Sequence, residues 1–100
     1  MTCPPDVAAI LLDIVGQGLL QARAAGWSGD AARAAAEADH IHNLPGLIAD
    51  YSPARLRYYW DAERPAYLGQ VTPERAASFR PLWERLGTHL QRLVPTAAAG

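Results

Sequence analysis

Lysine is absent from this chain of 100 residues, and all nine basic side chains are arginine. With alanine used so heavily, that choice reads as the codon usage of a GC-rich genome and not as a sign of guanidinium chemistry. Cysteine occurs once, as Cys3 in the start segment Met1-Thr2-Cys3-Pro4-Pro5, which excludes an intrachain disulfide and a thiol-based metal site. Charge of one sign is missing too. The net charge of −1 and a pI near 6.2 remove the general attraction on which nucleic-acid and anionic-membrane binders depend, so neither a nucleic acid nor a membrane is expected as partner. No apolar run approaches the roughly 18 residues of a membrane span, and Asp6 precedes the first apolar run with no cleavage-like site after it. A cytoplasmic location is the expectation. Alternating periods, β-branched runs and internal repeats are likewise missing, which leaves no basis for a sheet.

Helical signals fill the chain instead. Pro4 and Pro5 suit a first helical turn, and Val7, Ile10, Leu11, Leu12, Ile14, Val15, Leu19 and Leu20 carry helix one to Gly26. Its polar side chains Asp6, Asp13, Gln17 and Gln21 share one narrow strip, so most of its circumference is apolar. Such a helix must be covered nearly all round, by other helices of the chain or by a second copy. Gly16 and Gly18 each cost about 1 kcal/mol against alanine in a helix interior, which a close backbone approach would offset. Gly16-Gln17-Gly18 has neither the preceding strand nor the third glycine of a nucleotide fingerprint.

Ser28 or Asp30 is placed to cap helix two, about Asp30 to Asn43, with Ala31, Ala34, Ala38, Ile41 and Leu44 as the expected inward strip. Pro45-Gly46 is expected to stop it. Ser52-Pro53 then opens helix three, running to about Arg64 with Leu56, Tyr59, Trp60 and Glu63 on one side and Pro65 as end or kink. Thr72-Pro73-Glu74 opens helix four, in which Ala76, Phe79, Leu82, Trp83, Leu86, Leu90, Leu93 and Val94 share a face and Pro81 causes an outward bend. Pro95 closes it. The expectation is an all-α fold: one domain over 1–100, a small four-helix, broadly antiparallel bundle with a short extra helical turn after Pro45, ordered over about 5–94 with a loose tail at 95–100.

Polar chemistry is densest in Glu37-Ala38-Asp39-His40-Ile41-His42-Asn43. His40 and His42 are two apart, so on a helix they point about 200° from each other and cannot grip one ion; no metal or other cofactor is expected. A histidine beside Glu37, Asp39 or Glu63 has acid–base chemistry near neutral pH, yet the chain has no nucleophile motif and no glycine-rich phosphate cradle. An enzyme is therefore not expected. The bland role is a tie within the bundle: the imidazoles on the last carbonyls, Asn43 in the left-handed cap conformation, and Glu63 answering Arg33 or His40.

Ala38-Asp39-His40-Ile41-His42-Asn43-Leu44-Pro45, with Tyr58-Tyr59-Trp60 and Glu63-Arg64-Pro65 beyond it, resembles a segment of the form AD-x-x-HN-L/I-P in a group of small bacterial all-helical proteins. The resemblance covers the middle third of the chain and implies a helical fold without attaching any activity or ligand. Arg55, Arg57, Tyr58 and Arg64 form a second candidate surface. Arginine flanking an exposed tyrosine suits a protein contact, whereas Asp61 and Glu63 nearby keep the patch from being strongly basic. The functional expectation is a non-enzymatic interaction module, self-associating as a homodimer through helix one and binding a regulatory or immunity-type protein partner. The alternative is a small enzyme or a ligand- or metal-binding protein using His40, His42 and Glu63.

Overall fold

A computed structural model describes residues 2–93, and over them the chain is helical with no strand. The order is α1 (Pro5–Trp27), α2 (Ala31–Ile41), α3 (Leu44–Ala49), α4 (Pro53–Tyr58), a π-helical turn (Tyr59–Glu63), α5 (Arg64–Leu68), α6 (Pro73–Ala77) and α7 (Arg80–Leu93). Val94 and the tail at 95–100 lie outside the described residues.

Pro5 starts α1, since its fixed φ suits the first turn and its missing N–H would have no partner there. The helix ends where Gly29 takes a φ of +78°, a left-handed conformation open to glycine, while the Ser28 hydroxyl donates to the carbonyls of Ala24 and Ala25. Val7, Ile10, Leu11, Ile14, Gly18 and Ala25 form its buried line, packed against α2, α3 and α7. At Gly18 the backbone must come close, because a methyl group built there would collide with Ile41. One core gathers this line with Ile41, Leu44, Leu47, Tyr51, Leu56, Tyr59, Tyr67, Phe79, Trp83, Leu86 and Leu90.

Four expectations need correction. Helix two turns only part of its expected strip inward: Ile41 and Leu44 are buried and Ala34 half-buried, but Ala31 and Ala38 are exposed, and Glu37 and His40 are buried in their stead. Alanine has little area to bury on either side, so the larger groups at 37 and 40, which have partners waiting inside, set the rotation of the helix. Pro45-Gly46 does not stop a helix. The chain turns at His42 and Asn43, and Pro45 sits in the first turn of α3; Asn43 stays right-handed at φ −87°.

Helix three does not end at Pro65. Its rod continues to Leu68 through the π-turn, in which Arg64 N–H bonds to the Tyr59 carbonyl, five residues back. Proline removes an N–H and presses on the carbonyl four residues earlier, here that of Asp61, and a widened turn just before it makes room. The Trp60 carbonyl, freed by this, accepts from Arg64 Nε at 3.2 Å. Helix four is two helices. Pro81 has the same effect on Ala77, and the chain breaks at Ser78 and Phe79, where Phe79 N–H reaches only to Ala76 at 3.0 Å.

Candidate functional site: a buried polar network and an open apolar face

The polar strip of α2 ends inside the protein. Glu37 is wholly buried, and its Oε1 accepts from Arg75 Nη2 at 2.8 Å and Nε at 3.2 Å. The Tyr67 hydroxyl donates across both carboxylate oxygens at 2.8 Å. Burial pushes the Glu37 carboxyl up from its ordinary value, while the Tyr67 hydrogen bond and the Arg33 charge pull it down. With the Arg75 guanidinium in contact it is ionised at neutral pH.

One helical turn on, His40 Nε2 lies 2.8 Å from the Tyr59 hydroxyl, which accepts from Trp83 Nε1 at 3.1 Å. Indole can only donate, so the arrangement that satisfies the hydroxyl has Tyr59 giving its own proton to Nε2. That assigns a neutral imidazole with its proton on Nδ1. Burial lowers the His40 pKa to about 4, in agreement with the neutral ring. The ring stacks on Tyr67 at 4.0 Å between centroids and meets Phe79 edge-on at 5.1 Å. Burial raises both Tyr59 and Tyr67 well above the ordinary phenol range, so neither ionises near neutral pH.

The other members of the sequence cluster make no hydrogen bond to this network. Asp39, His42 and Asn43 are exposed, and His42 Nδ1 donates to the Asp39 carbonyl at 3.1 Å. Glu63 does not answer Arg33 or His40. It is half-buried and lines one surface groove with Asp39, His40, Asn43, Tyr58 and Tyr67, while the hydrogen-bond partners of α2 come from Tyr59, Tyr67 and Arg75. Arg55 pairs with Asp50 and Arg57 with Asp61, each at 3.0 Å and exposed, where such pairs add little. Arg64 lies 4.0 Å over the Trp60 ring, and Tyr58 remains open. Among the described residues no three His, Cys, Asp or Glu side chains are grouped so as to hold a metal ion.

The side of α1 turned away from the core is built from the opposite material. Leu12 is 56% exposed, Leu19 59%, Leu20 62% and Trp27 80%. With exposed Ala9, Gly16 and Arg23 they make one stripe, in which 9, 12, 16, 19 and 23 repeat the three-and-four spacing of a helix–helix seam. Cover by the described residues is therefore one-sided, not all round. Gly16 lies in the middle of the stripe, and a methyl group built there would meet nothing within 4 Å. Of the close approach expected at both glycines, the described residues make the one at Gly18, against Ile41.

By length and composition α1 could also cross a membrane, with a mean hydropathy of 1.3 over its best window, which corrects the view that no run comes near that length. A crossing would have to withdraw Val7, Ile10, Leu11 and Ile14 from the core.

No protein-family model, curated protein or solved structure matches this chain. The buried network has the form of an internal tie: His40 is 4% exposed, is held neutral, and has Nε2 occupied by a hydroxyl that does not ionise. An imidazole with its pKa near 4 is a weak base at neutral pH, and this one has almost no surface on which to meet a substrate. The outer stripe of α1 has the opposite character, an apolar surface open along the length of the helix.

Proposed function

We propose that the protein is a cytoplasmic, non-enzymatic interaction module whose helical runs pack as a small, broadly antiparallel bundle and which pairs with a second copy of itself through the outer stripe of α1. The observation that carries this reading is Gly16: a helical glycine in the centre of exposed leucines, at a level where the chain itself needs no small residue. Such a glycine costs about 1 kcal/mol against alanine, and a partner backbone crossing there offsets it.

The stripe is self-complementary about that point. Leu12 and Leu20 stand four residues before and after Gly16, and Asp6 and Asp13 flank the first half while Arg23 lies in the second. Two antiparallel copies related by a two-fold axis bring leucine against leucine and Arg23 towards the partner's acidic flank. A lipid surface suits the stripe less well, because helices that lie on membranes carry lysine and arginine along their polar flank and this one carries aspartates.

Light scattering over a range of concentrations tests the proposal. The expected result is dimer mass at high concentration, monomer on dilution, and a melting temperature that rises with concentration. Leu12→Glu with Leu20→Glu should give a monomer throughout, with the same circular dichroism. A native chain that is monomeric at every concentration would overturn the reading.

A further inference from the structure

A groove of about 440 Å³ runs between the start of α2 and the turn before α6, lined by Asp30, Arg33, Gln70, Val71, Thr72 and Arg75 among others. Two of these side chains have buried guanidinium nitrogens with nothing to bond. Arg75 is 8% exposed and directs Nε and Nη2 to Glu37, which leaves Nη1 without an acceptor. Arg33, one turn before Glu37 on α2, is half-buried and leaves its Nε–H without an acceptor. An unpaired buried donor costs on the order of 1–3 kcal/mol, and more when it is charged.

We infer that this groove binds a small oxyanion, a carboxylate or phosphate group, through Arg33 and Arg75. Two guanidinium charges act on a single internal carboxylate, and that carboxylate already accepts from Arg75 and Tyr67. Guanidinium forks match the paired oxygens of these anions, where a cation would be repelled. Thr72 adds a donor: its Oγ1 accepts from Arg75 N–H at 3.4 Å, and its own proton is free to point outward. The opposing charge on the rim is Asp30, which is exposed and whose Oδ1 accepts from Arg33 N–H at 3.0 Å as the cap of α2. It tempers affinity without occupying the guanidinium groups. A nucleic-acid backbone is not the occupant, since the chain as a whole carries a net charge of −1.

The test is a nuclear magnetic resonance titration of the intact protein with sodium phosphate and, separately, sodium acetate, each against sodium chloride of matched ionic strength. The Nε–H signals of Arg33 and Arg75 are expected to shift and saturate. Tighter binding of phosphate marks a phosphoryl ligand, and tighter binding of acetate marks a carboxylate. Arg33→Gln, at a half-exposed position that tolerates the change, should weaken binding about tenfold. Asp30→Asn keeps a capping side chain, removes the rim charge, and should tighten binding roughly twofold or more. Shifts no larger than those in chloride up to roughly 10 mM, or equal binding by Arg33→Gln, would overturn the site. The groove and the stripe on α1 share no residue, so a monomeric chain that binds phosphate, or a dimer that does not, tells the two proposals apart.

Discussion

The two longest helices of the N-terminal half treat water in opposite ways. The polar strip of α2 is turned inward, so that Glu37 and His40 are among its most buried groups, while α1 leaves Leu12, Leu19, Leu20 and Trp27 in solvent. Amphipathicity alone would place both the other way round. For α2 the difference is the presence of partners: Arg75 and Tyr67 satisfy Glu37, and Tyr59 bonds Nε2 of His40, whose Nδ1 has no partner, which offsets much of the penalty for removing polar groups from water. For α1 it is the absence of further helices among the described residues, which cover one side of it and no more. An inward-facing charge thus reports on the inside of the chain, and an outward-facing leucine on what lies beyond it.

The contrast breaks most severely at Glu37. Replacing it with alanine leaves the Arg75 guanidinium buried and unpaired and should cost about 3–5 kcal/mol of stability in denaturant unfolding. A double change that also replaces Arg75 with methionine should recover a good part of that loss.

His40 gives the next largest effect, and its sign follows from the protons bound. The unfolded chain takes up a proton near the ordinary histidine pKa of 6.5, but the folded chain only near 4. The folded state therefore holds fewer protons in that window, and stability should fall as pH drops through it, by about 3 kcal/mol at most. His40→Gln should flatten the slope between pH 6.5 and 4, and a slope unchanged in the variant would show that the imidazole is not the source.

The smallest effects come from the paired glycines, which sharpen the contrast on one helix. Gly18→Ala forces a methyl group onto Ile41 and should destabilise the fold by about 1–3 kcal/mol. Gly16→Ala meets open space and should stabilise the isolated fold by up to about 1 kcal/mol, while weakening self-association by holding the partner backbone away. Thermal melts at low and high protein concentration separate these two consequences.

Much of the local architecture was written in the sequence, because caps and prolines act over three or four residues. Ser52 and Thr72 accept from the backbone N–H of Arg55 and Arg75, and Asp30 from that of Arg33, at the positions their spacing implied. The inward strip of α2 was not legible there. Tyr67 and Arg75 stand 30 and 38 residues from Glu37, and no local pattern announces a contact at that separation. One signal was available. Arg75 lies four residues before Phe79 and eight before Trp83, on the inward line of α6 and α7, and a charge in that register asks for a buried counter-charge. The candidate cluster was legible in part for the same reason: Glu37 and His40 have their hydrogen-bond partners inside the protein, whereas Asp39 and Asn43 share only a surface groove with His40, and His42 bonds back to its own helix.

The π-turn also sets the angular phase of everything after it. In an unbroken α-helix, two residues eight apart differ by about 80° around the axis. One additional residue accommodated between Tyr59 and Glu63 makes that separation behave like seven, which nearly closes two turns and brings Tyr59 and Tyr67 to the same side of the rod. Both rings reach His40 as a result, with centroids at 5.7 and 4.0 Å. Were this turn to relax to regular α-helix with every residue in place, Tyr67 would swing about 100° away from the imidazole and the carboxylate it now serves, so the one extra residue taken up by the wide turn keeps the two halves of the interior in step.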